Sequence, residues 1–213
     1  MTESNTPKII IISGPSGSGK GTVISALPDN YKKTISFTTR AIRPDIETDG
    51  VDYFFITPEE FNQLRSSGNI LEFNYFDGNY YGTSRSQIID ILKRGLHAVL
   101  DVDVHGAMNI KNEFPEALMI FLMSPNVFVQ ERRLRRREKN TEESIRNRIH
   151  EAENELGYAR FFDCIIINEE GKPAEALKNI LLYISEGITP DKAYTDRIIS
   201  DYFKNYEIQR RLL

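Results

Sequence analysis

The feature that most constrains this chain is an unbroken run of β-branched residues, Lys8 to Ser13 (KIIIIS), running straight into a glycine-rich stretch. A continuous apolar run of this kind marks a strand buried on both faces, which requires a sheet covered on each side. The next residues, Gly14-Pro15-Ser16-Gly17-Ser18-Gly19-Lys20, have the spacing G-x-x-x-x-G-K. Glycines let the backbone curl until successive N–H groups point inward at a phosphate. A helix from about Gly19 to Leu27, stopped near Pro28, adds its positive end. Lys20 can then reach the outer phosphates of a nucleoside triphosphate as a point charge. The general pattern continues with Ser or Thr; here Gly21 stands in that place and Thr22 follows, so the hydroxyl on the Mg²⁺ side is assigned to Thr22. This loop speaks for a nucleoside triphosphate and says nothing about the acceptor.

Strand-like and helix-like runs alternate along the remainder, which predicts an α/β domain with a largely parallel sheet. Further buried strands are expected at His97 to Val102, Ala117 to Met123 and Asp163 to Ile167. Thr34 to Thr39 and Val51 to Ile56 mix polar and apolar residues as half-exposed strands do. Thr57-Pro58-Glu59-Glu60 reads as a capping box with proline at the first helical position, opening a helix that ends near Gly68. Ile70 to Phe76 and Tyr80-Tyr81, joined by Asp77-Gly78-Asn79, read as a hairpin. After Ser124-Pro125-Asn126 come an arginine-rich helix and a longer one striped with Ile145, Ile149, Ala152 and Leu156. A last core helix is expected to bury Ala174, Leu177, Ile180, Leu181 and Ile184. Tyr194, Ile198, Tyr202 and Tyr206, four residues apart, predict a helical tail docked on its own core or on a second subunit.

Charge and cysteine content narrow the function classes. Lys plus Arg is 27 against 31 for Asp plus Glu in 213 residues, a net charge of −4. A mildly acidic chain is a poor bulk match for nucleic acid or an anionic membrane, so any bound anion must be gripped by local clusters. Cys164 is the single cysteine, which excludes an internal disulfide and a cysteine-based metal cluster. The polar N-terminus and the lack of a long apolar run point to a cytoplasmic protein.

Residues between the first two strands bring in a resemblance. Ser36-Phe37-Thr38-Thr39-Arg40-Ala41-Ile42-Arg43-Pro44, Gly50-Val51-Asp52-Tyr53-Phe54-Phe55, Leu71-Glu72-Phe73 and Gly78-Asn79-Tyr80-Tyr81-Gly82-Thr83 stand in the order of the guanylate kinase motifs. From Lys8 to Glu186 the chain resembles that family. The resemblance implies a P-loop parallel sheet flanked by helices, with a GMP-binding antiparallel subdomain inserted at 36–94 and a helical lid at 126–157. The core would be 8–35, 95–125 and 158–187, followed by a tail at 188–213, all in one domain. It further implies that Ser36, Arg40, Arg43, Tyr53 and Tyr81 hold the GMP phosphate while Glu72 and Thr83 read guanine.

The chemistry agrees. Arginine offers planar forked donors to a dianionic phosphate. Guanine displays N1–H and its exocyclic amine side by side, and one carboxylate accepts both. Adenine has an acceptor at N1 and no such amine, so Glu72 would face it unpaired.

The family segment Asp-x-Asp-x-Gln-Gly appears here as Asp101-Val102-Asp103-Val104-His105-Gly106, with histidine for glutamine, and Thr83 stands where serine is common. Asp101, ending a buried strand, suits either Mg²⁺ or its waters, or the capping of the next helix. Asp103 suits the same roles or a contact with the acceptor. By resemblance Arg137 and Arg148 are the catalytic lid arginines beside Lys20, and Asn168 lies on the adenine side. Glu138 and Lys139 replace the family's glycine and threonine after Arg137. Arg132, Arg135 and Arg136 read as a solvated helix face.

The expected activity is transfer of the γ-phosphoryl of MgATP to GMP, or to dGMP, by a monomer or homodimer with no nucleic-acid or membrane partner. Two other readings stay open. One is a catalytically inactive scaffold of the same fold that binds phosphopeptides; the other is a kinase acting on a different phosphorylated acceptor.

Overall fold

The computed structural model describes residues 6–76, 78–136, 141–204 and 206. In chain order the first elements are β1 (Ile9–Ser13), α1 (Lys20–Ser25), β2 (Tyr31–Lys33), β3 (Phe37–Thr38), β4 (Phe54–Phe55) and α2 (Pro58–Ser66). Next come β5 (Ile70–Phe76), β6 (Asn79–Ser84), α3 (Arg85–Lys93), β7 (His97–Asp101), α4 (Val104–Glu113) and β8 (Leu118–Met123). The last are α5 (Val127–Arg135), α6 (Glu142–Tyr158), β9 (Cys164–Ile167), α7 (Pro173–Glu186) and α8 (Lys192–Asp201). A five-stranded sheet has the order β2-β7-β1-β8-β9, and its β2–β7 and β8–β9 pairs are parallel. A four-stranded sheet has the order β4-β3-β6-β5, antiparallel except for the β3–β4 pair. This is the α/β class expected from the alternation of runs.

The chain separates into two compact units, Met1–Ile11 with Pro28–Ala117 and Ile12–Leu27 with Leu118–Leu213. In the first, Ala98, Val99 and Leu100 of β7 are fully buried, as are Ile88 of α3 and Ala107 and Ile110 of α4. The four-stranded sheet keeps its own aromatic cluster, with Phe61 stacked on Tyr80 at 5.1 Å. In the second, Ile120, Phe121, Leu122 and Met123 of β8 are fully buried, and Ile145, Ile149, Ala152 and Leu156 form the buried stripe of α6. These are the continuous apolar strands and helix-period stripes that the sequence shows.

Local signals hold where a side chain closes on its own backbone. Thr57 and Glu60 form the capping box of α2, with Pro58 in its first turn. Asn126 caps α5 and Thr141 caps α6. Differences arise where tertiary partners decide. The strand expected over Val51 to Ile56 contracts to Phe54–Phe55, because Asp52 accepts from Thr48 N at 2.8 Å and Asp49 from Phe55 N at 2.9 Å, curling the approach into turns. Likewise Thr34 to Thr39 contracts to Phe37–Thr38. Two elements carry no clear signal in the sequence. One is the short edge strand β2, whose Lys32 and Lys33 face solvent. The other is α3, capped by Ser84 and tied to residue 35 through both ends of the Gln87 amide, at 2.9 and 2.6 Å. On α7, Ala176 is buried and Ala174 is exposed, a shift of the expected stripe.

The tail docks on its own chain. Tyr202 is 1% exposed, and its hydroxyl lies 2.5 Å from Ser124 Oγ and donates to Gln130 Oε1 at 3.2 Å. Tyr206 packs on Phe128 and donates to Glu131 at 3.1 Å. Tyr194 and Ile198 are half-buried.

Candidate active site

The donor side lies in the second unit. β1 ends at Ser13, residues 14–19 turn, and α1 starts at Lys20. The carbonyls of this turn are gripped from behind. Gln130 Nε2 donates to Ser16 O at 2.8 Å, and Asn168 Nδ2 donates to Ser18 O at 2.8 Å. Arg133 spreads its guanidinium over Ser18 O (3.1 Å), Gly17 O (3.4 Å), Asn168 O (2.9 Å) and Glu169 O (3.3 Å). In a trans peptide the N–H points opposite to the C=O. Fixing the carbonyls of Ser16 and Ser18 outward therefore aims the N–H groups of Gly17 and Gly19 inward, the arrangement that holds an anion.

Glycine is obligatory at 19. Its φ is 95°, and a Cβ there would stand 2.3 Å from Asn168 Nδ2. Lys20 folds its ammonium onto the carbonyls of Gly14 and Pro15. Arg148 of α6 donates to Ser16 Oγ at 2.7 Å. Thr22 and Gly21 are exposed on α1. Arg137, expected in the lid, lies with Glu138 and Lys139 outside the described residues.

The acceptor side lies in the first unit as a cavity of about 380 Å³ lined by Ser36, Tyr53, Glu72, Asn74, Tyr81, Gly82, Asp101, Val102 and Asp103. Glu72 enters from β5 and Tyr81 from β6, while Asp101 ends β7 and Asp103 caps α4 by accepting from Gly106 N at 2.8 Å. The helix-capping role left open at Asp101 thus falls to Asp103. Thr83 donates to Glu72 Oε1 at 2.5 Å. Burial pushes the Glu72 carboxyl above its ordinary range, with the Asp103 charge adding to it, against the Thr83 hydrogen bond that lowers it. Tyr53, edge-on to Tyr81 at 5.9 Å, is also raised by burial.

Six of the nine expected acceptor residues line this cavity: Ser36, Tyr53, Glu72, Tyr81, Asp101 and Asp103. Thr83 lies outside the lining and reaches it only through its hydrogen bond to Glu72. Arg40 and Arg43 do not line it. Arg40 makes a bidentate pair with Glu47 at 2.7 and 2.9 Å and lies over the rings of Tyr53 and Phe55 at 5.6 and 5.5 Å. Arg43 Nη1 is 3.8 Å from the same carboxylate and largely exposed. The Arg40 guanidinium holds Glu47 below the usual carboxylate range, so Glu47 is an anion already seated where these arginines converge.

The structure also brings forward residues that the motifs do not single out. Asn74 donates to Asp103 Oδ2 at 3.1 Å, two residues along β5 from Glu72, and alternation on a strand is the signal that could have placed both on one face. Arg133 and Gln130 brace the turn at 14–19 from 114 or more positions away in sequence, and nothing local announces that role. Arg132, Arg135 and Arg136 make exposed ion pairs with Glu170, Glu131 and Glu142. His105 is exposed on α4. Asn168 is 3% exposed, with its amide turned onto the phosphate turn.

Comparison with known proteins points one way. The sequence model of the family described as guanylate kinase matches residues 6–183. The guanylate kinases of Streptococcus pyogenes serotype M3 (strain ATCC BAA-595 / MGAS315) and serotype M18 (strain MGAS8232) are each 37% identical over 207 residues, covering 95% of this chain and 94% of theirs. Among solved structures, the guanylate kinase from Anaplasma phagocytophilum aligns with a TM-score of 0.64 and 29% identity, covering 86% of this chain and 88% of that one. With a family match across most of the sequence and relatives aligned along nearly all of it, this chain belongs to the guanylate kinase family.

Proposed function

We propose that this chain transfers the γ-phosphoryl group of ATP to GMP, giving ADP and GDP. The observation that carries the guanine half of this reading is the Glu72 carboxylate, held by Thr83 inside the polar cavity. Ionised, it accepts guanine N1–H and the exocyclic amine together. Ser36, Tyr53 and Tyr81 offer hydroxyls to the acceptor phosphate, and Arg40 and Arg43 offer charge once they release Glu47.

On the donor side the turn at 14–19 cradles the triphosphate, Lys20 neutralises its outer phosphates, and Arg148 and Arg137 supply further positive charge. Asn168 faces the adenine side and keeps the turn in shape. An oxygen of the GMP phosphate attacks the γ-phosphorus as the bond to the β-bridging oxygen breaks, and that oxygen leaves on ADP. The attacking oxygen is already anionic, so no general base is needed. The protein's part is alignment, exclusion of water and charge neutralisation. Thr22, exposed on α1, and Asp101, half-exposed at the end of β7, each offer a hard oxygen of the kind that Mg²⁺ takes directly or through its waters. When bound, the ion supplies charge to the β- and γ-oxygens.

The test is ADP formation from MgATP with GMP, AMP, CMP and UMP offered separately, beside a control lacking acceptor. Rapid turnover with GMP alone is expected. Preference for another monophosphate would overturn the role of Glu72, and no turnover with any would overturn the reaction.

A further inference from the structure

Gly106 sits third in the ten-residue helix α4 with ordinary helical backbone, where glycine costs about 1 kcal/mol relative to alanine. Its conformation does not require glycine, so the reason must lie in the space beside it. A Cβ at 106 would stand 2.9 Å from Glu72 Oε2, 3.1 Å from Cδ and 3.3 Å from Cγ. Three consecutive atoms of the arm crowd the same point, so rotating the terminal carboxylate alone does not relieve the contact. The other oxygen, Oε1, is held by Thr83 at 2.5 Å. Glu72 is therefore held at one oxygen by a hydroxyl, while its other oxygen stands in room that a methyl group at 106 would take.

The platform itself is anchored. Gly106 N donates to Asp103 Oδ1 at 2.8 Å, and Asp103 Oδ2 accepts from Asn74 at 3.1 Å, which ties the first turn of α4 to the strand that carries Glu72. By contrast Gly157, also helical, has nothing among the described residues within 4 Å of its would-be Cβ.

We infer that Gly106 is a specificity-positioning residue: the absence of its side chain sets where the Glu72 carboxylate stands and so sets the preference for guanine. The inference rests on the reading of Glu72 given above. Because the crowded atoms belong to the end of a flexible side chain, a methyl group at 106 moves Glu72 and leaves the fold standing.

Gly106→Ala, Glu72→Gln and the control Gly157→Ala are compared by kcat/KM with GMP and with IMP, whose base lacks the 2-amino group, and by thermal unfolding. Gly106→Ala is expected to lower the GMP-to-IMP preference about tenfold or more, through KM for the acceptor and with KM for ATP unchanged. Glu72→Gln is expected to lower it too, and Gly157→Ala to leave it unchanged. A preserved preference in Gly106→Ala while Glu72→Gln loses it overturns the positioning role alone. A preserved preference in Glu72→Gln overturns the reading of Glu72 and this inference with it. If Gly106→Ala does not fold, the double variant with Glu72→Ala is expected to regain the native unfolding midpoint, since the methyl then enters vacated space; a double variant that stays unfolded overturns the inference.

Discussion

The donor side and the acceptor side are built by different means. The donor side is built from backbone: seven contiguous residues, Gly14 to Lys20, curled into a turn whose carbonyls are held from behind by Gln130, Arg133 and Asn168. Such a site reads charge and shape common to every triphosphate. The acceptor side is built from side chains on β5, β6 and β7 and in the segments just before β3, β4 and α4, separated by up to 67 residues from Ser36 to Asp103. On the proposed reading it recognises one base through one carboxylate, Glu72, whose ionisation its own burial disfavours. A backbone site tolerates change in neighbouring side chains, whereas a side-chain site is exposed to every substitution that shifts a carboxylate by a fraction of an ångström.

Each half can be broken without the other. Lys20→Ala is expected to lower kcat about 10³-fold or more while the unfolding midpoint stays near that of the native chain, because the lost ammonium serves transition-state charge rather than packing. Near-native turnover in the purified variant would end the contrast on the donor side. Next in size, Glu72→Gln is expected to lower kcat/KM for GMP about 100-fold with KM for ATP unchanged. The amide turns a donor toward a guanine donor. Equal weakening of both nucleotides would show that Glu72 does not act on the base.

Acidity sharpens the comparison further. The Glu72 carboxyl is raised in the folded chain, so its ionised form is disfavoured there. The sign follows: no penalty below the unfolded value, and a full penalty once pH has risen through the folded one, so the free protein loses this increment of stability as pH rises. On the proposed reading GMP needs the ionised carboxylate, so KM for GMP should climb as pH falls, starting above the ordinary glutamate range. The second ionisation of the phosphate, near pH 6, is shared by the native chain and Glu72→Gln. The difference between their pH profiles therefore isolates Glu72, and superimposable profiles would contradict the assignment.

The smallest effect concerns the bracing of the donor turn. Tyr202 donates to Gln130, which in turn holds Ser16 O. Tyr202→Phe leaves the buried Gln130 Oε1 without this donor, at a cost of about 1–2 kcal/mol, or about 3–6 °C in Tm. KM for ATP should rise modestly and KM for GMP should not. A shift in the GMP value instead would place the tail's influence on the wrong half.

How far the sequence reaches differs between the halves for the same reason. The donor turn is contiguous, so its spacing is the site. The capping box at Thr57 is likewise complete within four residues and appears as expected. Glu72 and Thr83 could be named only because a family supplies their roles, and their contact exists through the β5–β6 register that pairs them. Arg40 and Arg43 show the limit: two guanidiniums in a motif do not reveal that Glu47 already occupies them.

The sequence by itself determined the buried strands, the glycine-rich turn, the capping box of α2 and the amphipathic stripe of α6, because backbone conformation and apolar periodicity are settled by near neighbours. Only the tertiary structure decided which carboxylate caps α4, which side chain stands beside Gly106, and which arginine braces the turn at 14–19. Those are contacts between residues far apart in the chain, and burial and hydrogen-bond geometry exist there only after the chain has closed on itself.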